Sequence, residues 1–337
     1  MSVYQTSLYT DVDFDRQGKQ VGRLKMPHSV TRSAYGVIPI PIAVIANGEG
    51  PTLVLMAGNH GDEYEGQVAL GRLIRDLEPE SIQGRVIVLP SANLPAARDG
   101  VRVSPLDGGN LNRMFPGDPE GSPTRQIAHY IGTVLMPMAD VFVDLHSGGA
   151  SLDYIPFVAV TLCGDAQHDE RALAATKAFG GPYAQAWAPS TSGVSESSVP
   201  RPRCISLGGE FGGGGVVDID HTAYVERGVR NLMAHLGILP GAEVHNEDSM
   251  RWMTSASEDL YTFAPDYGVF APACRLGETV SQGQLAGEVH AIEHPERPAI
   301  PVYFSASGLL ICLRAIGRVE PGDCLAHLAI DIDDPVI

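Results

Sequence analysis

The sequence predicts an α/β fold in which a mostly parallel or mixed sheet is flanked by helices and is followed by a smaller β-rich domain. Continuous apolar runs at residues 52–57, 85–89 and 141–145 are typical of strands that are buried on both faces. Apolar residues with helical spacing lie between the first two of these runs. This alternation of strands and helices is typical of a sheet covered by helices. After about residue 250 the chain has only short apolar segments between glycine and proline turns.

We place the two predicted domains at residues 1–248 and 249–337. The chain has 337 residues, which at roughly 150 residues per domain suggests two domains. Residues 1–50 contain apolar runs with prolines at their margins, and these predict edge or antiparallel strands of the first domain. Helices are predicted at about 64–77 and 124–136.

The second predicted domain contains a weak internal repeat. Residues 277–285 and 317–325 each carry a V-x-x-G turn between apolar segments, which resembles the two halves of a barrel-sandwich domain of the biotinyl/lipoyl type. Carrier domains of that type need a lysine at a hairpin tip, whereas Lys177 is the last lysine of this chain. We therefore expect a structural or lid domain that carries no swinging arm.

The charge and cysteine content limit the classes of partner and the compartment. The formal net charge of −17 argues against nucleic acids and anionic membranes as partners, because both need a positive protein surface. No apolar run approaches the ~18 residues of a membrane span, and we see no signal peptide. Five widely spaced cysteines without a C-x-x-C pair predict reduced thiols in a cytoplasmic protein. A homo-oligomer is compatible with the sequence, which does not give the oligomeric state.

Three side chains follow predicted strands in a pattern that indicates a metal site. His60 and Glu63 lie on a glycine-containing turn after the 52–57 strand, and His146 follows the 141–145 strand. The carboxyl ends of parallel strands meet at one edge of a sheet, so these residues can converge. Two histidines and one glutamate are the ligands of many catalytic zinc sites, which keep a fourth position open. Because an isolated H-x-x-E motif is common by chance, the prediction of a metal site depends on the second histidine, His146.

Acidic residues near these ligands receive different predictions. Asp144 is compatible with an outer-sphere partner of the metal ligands and equally with a structural role. Asp62 and Glu65 are expected at a solvated edge. Glu210 follows another apolar run and precedes four glycines, so it can serve as the general base of a zinc hydrolase. Taken alone, an acid in a glycine-rich turn is more often structural.

A polar loop after the 85–89 strand contains candidate substrate-binding residues. Arg102, Asn112 and Arg113 lie in it, and arginine is the usual choice for bidentate recognition of a carboxylate. The alternative for any one arginine is an ion pair at the surface.

The order of these motifs resembles the succinylglutamate desuccinylase/aspartoacylase family, part of the zinc carboxypeptidase-like superfamily. The motifs are G-x-H-G-x-E at 58–63, N-x-P-A at 93–96, N-L-N-R-x-F-P-G at 110–117 and D-L-H at 144–146, followed by a late glutamate. The resemblance implies one zinc ion per chain, bound by His60, Glu63 and His146. It also implies that Glu210 is the general base and that Arg102 polarises the scissile carbonyl. Asn112 and Arg113 would hold the substrate carboxylate.

The same resemblance predicts an amidohydrolase that acts on a small, carboxylate-bearing N-acyl amino acid. Within the family, residues 24–36 and 59–66 are most similar to deacetylases of N-acetyl-2,4-diaminobutyrate in ectoine breakdown. Desuccinylase, aspartoacylase or carboxypeptidase activity is the nearer alternative, and a non-catalytic binding protein on an inactive hydrolase fold is the more distant one. Two details depart from the family: Asn110 stands where its motif has aspartate, and residues 104–109 are additional, so Arg102 is placed by its distance from Asn93. A further family arginine could be Arg201 or Arg203.

Overall fold

A computed structural model describes residues 6–245, 249–333 and 335. Within them the five α-helices are α1 (Glu65–Asp76), α2 (Leu94–Asp99), α3 (Pro123–Tyr130), α4 (Ala166–Phe179) and α5 (Ile219–His235). The strands up to Glu210 are β1 (Tyr9–Thr10), β2 (Gly18–Pro27), β3 (Val37–Asn47), β4 (Thr52–Ala57), β5 (Gly84–Leu89), β6 (Val141–Leu145), β7 (Leu152–Tyr154), β8 (Phe157–Thr161), β9 (Tyr183–Trp187) and β10 (Ile205–Glu210). Those after it are β11 (Arg251–Thr254), β12 (Tyr261–Phe263), β13 (Gly268–Pro272), β14 (Thr279–Val280), β15 (Leu285–His290), β16 (Ile300–Tyr303), β17 (Gly308–Arg314), β18 (Arg318–Val319) and β19 (Cys324–Asp331).

A long mixed sheet forms the backbone of the fold. Its strands run in the order β1-β2-β3-β5-β4-β6-β10-β8-β9-β11-β19-β17-β14. The centre is parallel, because β4 pairs in parallel with β5 and β6, and β6 with β10. The N-terminal strands β2 and β3 join it antiparallel, as the prolines at their margins predicted. The predicted α/β class with a mixed sheet is confirmed.

Helices cover the sheet because its central strands are apolar on both sides. Every residue of β4 is buried. On one face the strands pack against α1, α4 and α5, and Leu70, Phe179 and Val229 from these helices lie in a single apolar cluster with Leu53. On the other face they pack against α3 and the turns after it. No helix in the described part of the chain is both long and apolar enough to cross a membrane.

The two predicted helices form close to their predicted places. The stretch at 64–77 is α1, Glu65–Asp76. The stretch at 124–136 begins as α3 at Pro123 and continues after Tyr130 as a π-helical turn (Ile131–Leu135) and a 3₁₀ turn (Met136–Met138).

The C-terminal region is β-rich, as predicted. Strands β16, β15, β13 and β18 form a second, four-stranded sheet. The two copies of the internal repeat correspond to β14–β15 and β18–β19. Strand β11 pairs with both β9 and β19, so the long sheet continues into this region. The predicted boundary after residue 248 falls at 246–248, outside the described residues, and stays a prediction.

Candidate functional site

The carboxyl ends of three adjacent parallel strands bring the predicted site residues to one edge of the sheet. His60 and Glu63 lie in the turn between β4 and α1, His146 follows β6 directly, and Glu210 is the last residue of β10. His146 and Glu210 also form an isolated parallel β-bridge. Residues far apart in the sequence thus meet where ligands bind in open α/β sheets.

His60, Glu63 and His146 form a compact cluster of metal-ligating groups. One Glu63 oxygen, Oε1, lies 2.6 Å from His60 Nδ1, and the other, Oε2, lies 2.8 Å from His146 Nδ1. The three groups offer ligand atoms that lie within 4.8 Å of one another. The side chains of His60 and Glu63 are almost fully buried, and that of His146 is 12% exposed.

The outer nitrogens of both imidazoles contact oxygen atoms that fix the imidazole orientation. His60 Nε2 lies 3.0 Å from Asn110 Oδ1, and His146 Nε2 lies 3.0 Å from Asp144 Oδ2. With a cation bound at the Nδ1 atoms, a proton on each Nε2 would donate to these oxygens and leave the Nδ1 lone pairs for the metal. A histidine oriented by an oxygen acceptor in this way is typical of zinc sites, so the cluster fits Zn²⁺.

Electrostatics within the cluster favour a charged glutamate. Burial opposes ionisation of Glu63, but the neighbouring His60 and His146 imidazoles hold its pKa well below the usual range. Burial also opposes protonation of His146, yet the Asp144 and Glu63 carboxylates raise its pKa well above the ordinary value. The pocket therefore stabilises positive charge between these carboxylates, which is what a cation site requires.

Glu210 lies beside this cluster, and its pKa is raised, whereas that of Glu63 is lowered. Burial and the negative charge of Glu63 raise the pKa of Glu210 to about 8. Its Oε2 atom is buried and has no hydrogen-bond partner within the described structure. A carboxylate with a raised pKa and a free oxygen can accept a proton and give it back at neutral pH.

The polar loop places the predicted substrate-binding residues at the same cleft. Arg102 Nη1 lies 3.3 Å from Glu63 Oε1, and its side chain is 45% exposed. Asn112 Oδ1 accepts a hydrogen bond of 2.8 Å from the Ser195 backbone N–H. Arg113 is exposed, and both Asn112 and Arg113 line the cleft.

The cleft has a volume of about 570 Å³, within the range of small-molecule sites. Residues that the sequence analysis did not single out complete its wall: Tyr154, Phe157, Gln185, Trp187, Ser195, Ser255, Tyr261 and His327. Of these, Ser255, Tyr261 and His327 come from the C-terminal region. No sequence motif marks the C-terminal residues, because they reach the cleft only through the pairing of β11 with β9 and β19.

The structure leaves both further arginine candidates outside the cleft lining. Arg201 forms an ion pair with Glu196 at 2.7 Å, and Arg203 donates to the Pro137 carbonyl oxygen.

The prediction of a solvated edge at Asp62 and Glu65 is wrong, since both residues are buried. The loops after β6 and β10 fold over this turn, where the Gly148 N–H donates to the Gly212 carbonyl at 2.9 Å. Asp62 Oδ2 accepts a 2.8 Å bond from the backbone N–H of Ala150. Gly212 has a φ of +108°, and a Cβ there would lie 3.0 Å from Glu65 Oε1. Glycine at this position therefore lets the loop after β10 approach the Glu65 carboxylate closely.

Comparison with known proteins identifies the family of the chain. The sequence profile described as the succinylglutamate desuccinylase/aspartoacylase catalytic domain matches residues 49–236. An N-alpha-acetyl-L-2,4-diaminobutyric acid deacetylase from Halomonas elongata is 41% identical over 319 residues, covering 94% of this chain and 93% of the relative.

Two solved structures share the whole fold. The product-bound ectoine utilization protein EutE (DoeB) from Ruegeria pomeroyi has 38% identity and a TM-score of 0.91, covering 96% of this chain and 99% of that protein. A succinylglutamate desuccinylase/aspartoacylase from Rhodobacter sphaeroides has 38% identity and a TM-score of 0.92, covering 98% and 100%. The matched profile is that of a catalytic domain, which confirms the prediction of an enzyme. The chain belongs to the succinylglutamate desuccinylase/aspartoacylase family.

Proposed function

We propose that this protein is a zinc-dependent deacetylase that hydrolyses N-α-acetyl-2,4-diaminobutyrate to acetate and diaminobutyrate. The observation that carries the proposal is the His60–Glu63–His146 cluster with the buried, unpartnered Oε2 atom of Glu210 beside it. The choice of substrate is supported by the name of the Halomonas elongata relative and by the ectoine utilization protein of the same fold.

His60 Nδ1, His146 Nδ1 and the Glu63 carboxylate would hold one zinc ion per chain. When bound, Zn²⁺ supplies Lewis acidity that polarises the amide carbonyl and lowers the pKa of a water molecule toward ~7. Asn110 and Asp144 keep both imidazoles in the tautomer that this role requires, through the 3.0 Å contacts of their oxygens.

Glu210 is the proton carrier in this proposal. It takes a proton from the attacking water and returns it to the nitrogen of the leaving amine, so no net charge builds up on the departing group. A pKa raised to about 8 by burial and by Glu63 suits both halves of that transfer.

The arginines and Asn112 orient the substrate. Arg102 donates to the carbonyl oxygen as that oxygen gains negative charge, and its place 3.3 Å from Glu63 puts it beside the reacting group. Arg113 and Asn112 hold the α-carboxylate, and Ser195 fixes the Asn112 amide through the 2.8 Å bond to its oxygen. We also place the enzyme in the cytoplasm, in keeping with five cysteines that form no disulfide.

A substrate panel tests the proposal. N-acetyl-diaminobutyrate, N-acetyl-aspartate, N-succinyl-glutamate and a dipeptide are each incubated with the purified protein, with and without a chelator, and the released amine is measured. We expect N-acetyl-diaminobutyrate to give the highest kcat/KM and the chelator to abolish turnover. Preference for the succinyl or aspartyl substrate would replace the substrate assignment, and turnover unaffected by thorough chelation would contradict the metal mechanism.

A further inference from the structure

A second cluster of metal-ligating groups lies outside the lining of the cleft. Cys163, His168 and Asp169 come from the loop after β8 and the first turn of α4. Cys163 Sγ lies 3.3 Å from His168 Nδ1, which lies 2.9 Å from Asp169 Oδ1. As in the first cluster, the three groups offer ligand atoms that lie within 4.8 Å of one another.

Backbone contacts orient each of these donors before any ligand binds. The Asp169 carboxylate accepts 2.9 Å bonds from the N–H groups of Cys163 and Gly164, one to each oxygen. His168 is almost fully buried, and its Nε2 lies 3.3 Å from the Cys204 carbonyl oxygen. A neutral imidazole carries one proton, and both of its nitrogens face oxygens that only accept hydrogen bonds, so it can satisfy only one of these two contacts.

With its proton on Nε2, His168 has an Nδ1 lone pair that faces a carboxylate oxygen and a sulfur. Two lone pairs 2.9 Å apart, on Nδ1 and on Asp169 Oδ1, repel each other unless a positive centre lies between them. Either a second proton on the imidazole or a cation can be that centre. The sulfur favours a cation, since a thiol, an imidazole and a carboxylate together form the donor set of zinc and similar borderline-soft ions.

We propose that Cys163, His168 and Asp169 form a second metal site that binds Zn²⁺ or a cation of the same class. Binding releases the thiol proton of Cys163, and the thiolate and the Asp169 carboxylate then neutralise a divalent charge. Cys163 and Asp169 are only half-buried, which gives the ion a path from solvent and leaves room for water as a fourth ligand.

The position of the site indicates a structural role. His168 joins the loop to the Cys204 carbonyl, immediately before β10, the strand that ends in Glu210. A bound ion would therefore connect the start of α4 to β10 without contacting substrate. We expect its loss to lower thermal stability and to leave the chemistry at the cleft in place.

Metal stoichiometry tests this inference with matched variants of the full-length protein. After zinc loading and gel filtration, elemental analysis should give two zinc ions per chain for the wild type, and one each for Cys163→Ser and His146→Gln. Cys324→Ser is the control, because Cys324 is a half-buried cysteine outside both clusters, and it should retain two.

Cobalt substitution gives a readout that needs no folded variant. In the proposed sites only the second contributes a thiolate, so wild-type protein loaded with two equivalents of Co²⁺ should show a near-ultraviolet thiolate-to-cobalt charge-transfer band. Cys163→Ser should lack the band and retain deacetylase turnover, whereas His146→Gln should keep the band. One zinc ion per wild-type chain with no such band would overturn the proposal. A band that survives in Cys163→Ser would overturn it as well.

Discussion

Replacing Asp144 with asparagine should weaken zinc binding at the cleft without disturbing the fold. Asp144 is buried, and its Oδ2 atom receives three contacts: Asn59 Nδ2 at 2.9 Å, Ser195 Oγ at 2.6 Å and His146 Nε2 at 3.0 Å. Asparagine has the same shape but no charge, so the contact to His146 changes from a charge-assisted hydrogen bond to a neutral one.

The expected size of the effect follows from this outer-sphere role. Loss of such a partner typically lowers metal affinity by about 10–100-fold, which corresponds to about 1.4–2.8 kcal/mol. We expect Asp144→Asn to fall in this range, because the amide oxygen can still accept one bond from the imidazole. Removing the side chain altogether would also free Asn59 and Ser195, so the asparagine variant isolates the charge.

The assay is competition for zinc against a chromophoric chelator, with circular dichroism to confirm folding. Asp140→Asn is the matched control, because Asp140 lies just before β6 at its opposite end and accepts a 2.8 Å bond from the Thr52 N–H. Its zinc affinity should stay within about twofold of the wild type. The reasoning is refuted if folded Asp144→Asn binds zinc as tightly as the control.

Three further changes test the surroundings of the site. Gly61→Ala should lose zinc and stability, because a Cβ there overlaps the Ala96 carbonyl group beside the metal-binding turn. Gly71→Ala on helix α1 should instead stabilise the protein by up to about 1 kcal/mol. Equal melting temperatures of the two variants would contradict the predicted overlap at Gly61. Burial lowers the pKa of His327 to about 4, so between pH 7 and 5 this histidine takes up a proton in the unfolded chain but not in the folded protein. Over that range the free energy of unfolding of the wild type should therefore fall by about 2 kcal/mol more than that of His327→Gln. Parallel pH profiles in denaturant titrations would contradict the burial of a neutral imidazole. Asn110→Ala should weaken zinc binding in the same chelator assay, because it removes the acceptor of His60 Nε2, and unchanged affinity would show that this contact does not orient the ligand.

The positions of the candidate ligands and of Glu210 were predictable from the sequence, because these residues lie at or just after the ends of strands. Apolar runs lead to His60, His146 and Glu210, so the ends of these strands could be located from the sequence, and parallel pairing brings the ends together. The edge of the sheet at which the candidate ligands meet follows from that pattern alone.

Features that depend on contacts between segments far apart in the sequence were not predictable in the same way. Helix α4 buries mainly alanines and one phenylalanine, a pattern too weak to stand out by periodicity. Glu65 looks like an exposed acid at a helix start, yet glycine loops from two distant strands close over it. Tyr261 and His327 stack with ring centroids 3.8 Å apart at the cleft wall only because β12 pairs with β19.

The most direct test of the central claim is to measure zinc content and turnover together in Glu210→Gln. We propose that His60, Glu63 and His146 bind the metal and that Glu210 only moves the proton. Glu210→Gln should therefore retain the cleft zinc ion and bind N-acetyl-diaminobutyrate, while kcat falls by at least about 100-fold. A variant that keeps wild-type turnover, or one that loses turnover only because it loses zinc, would contradict the assignment.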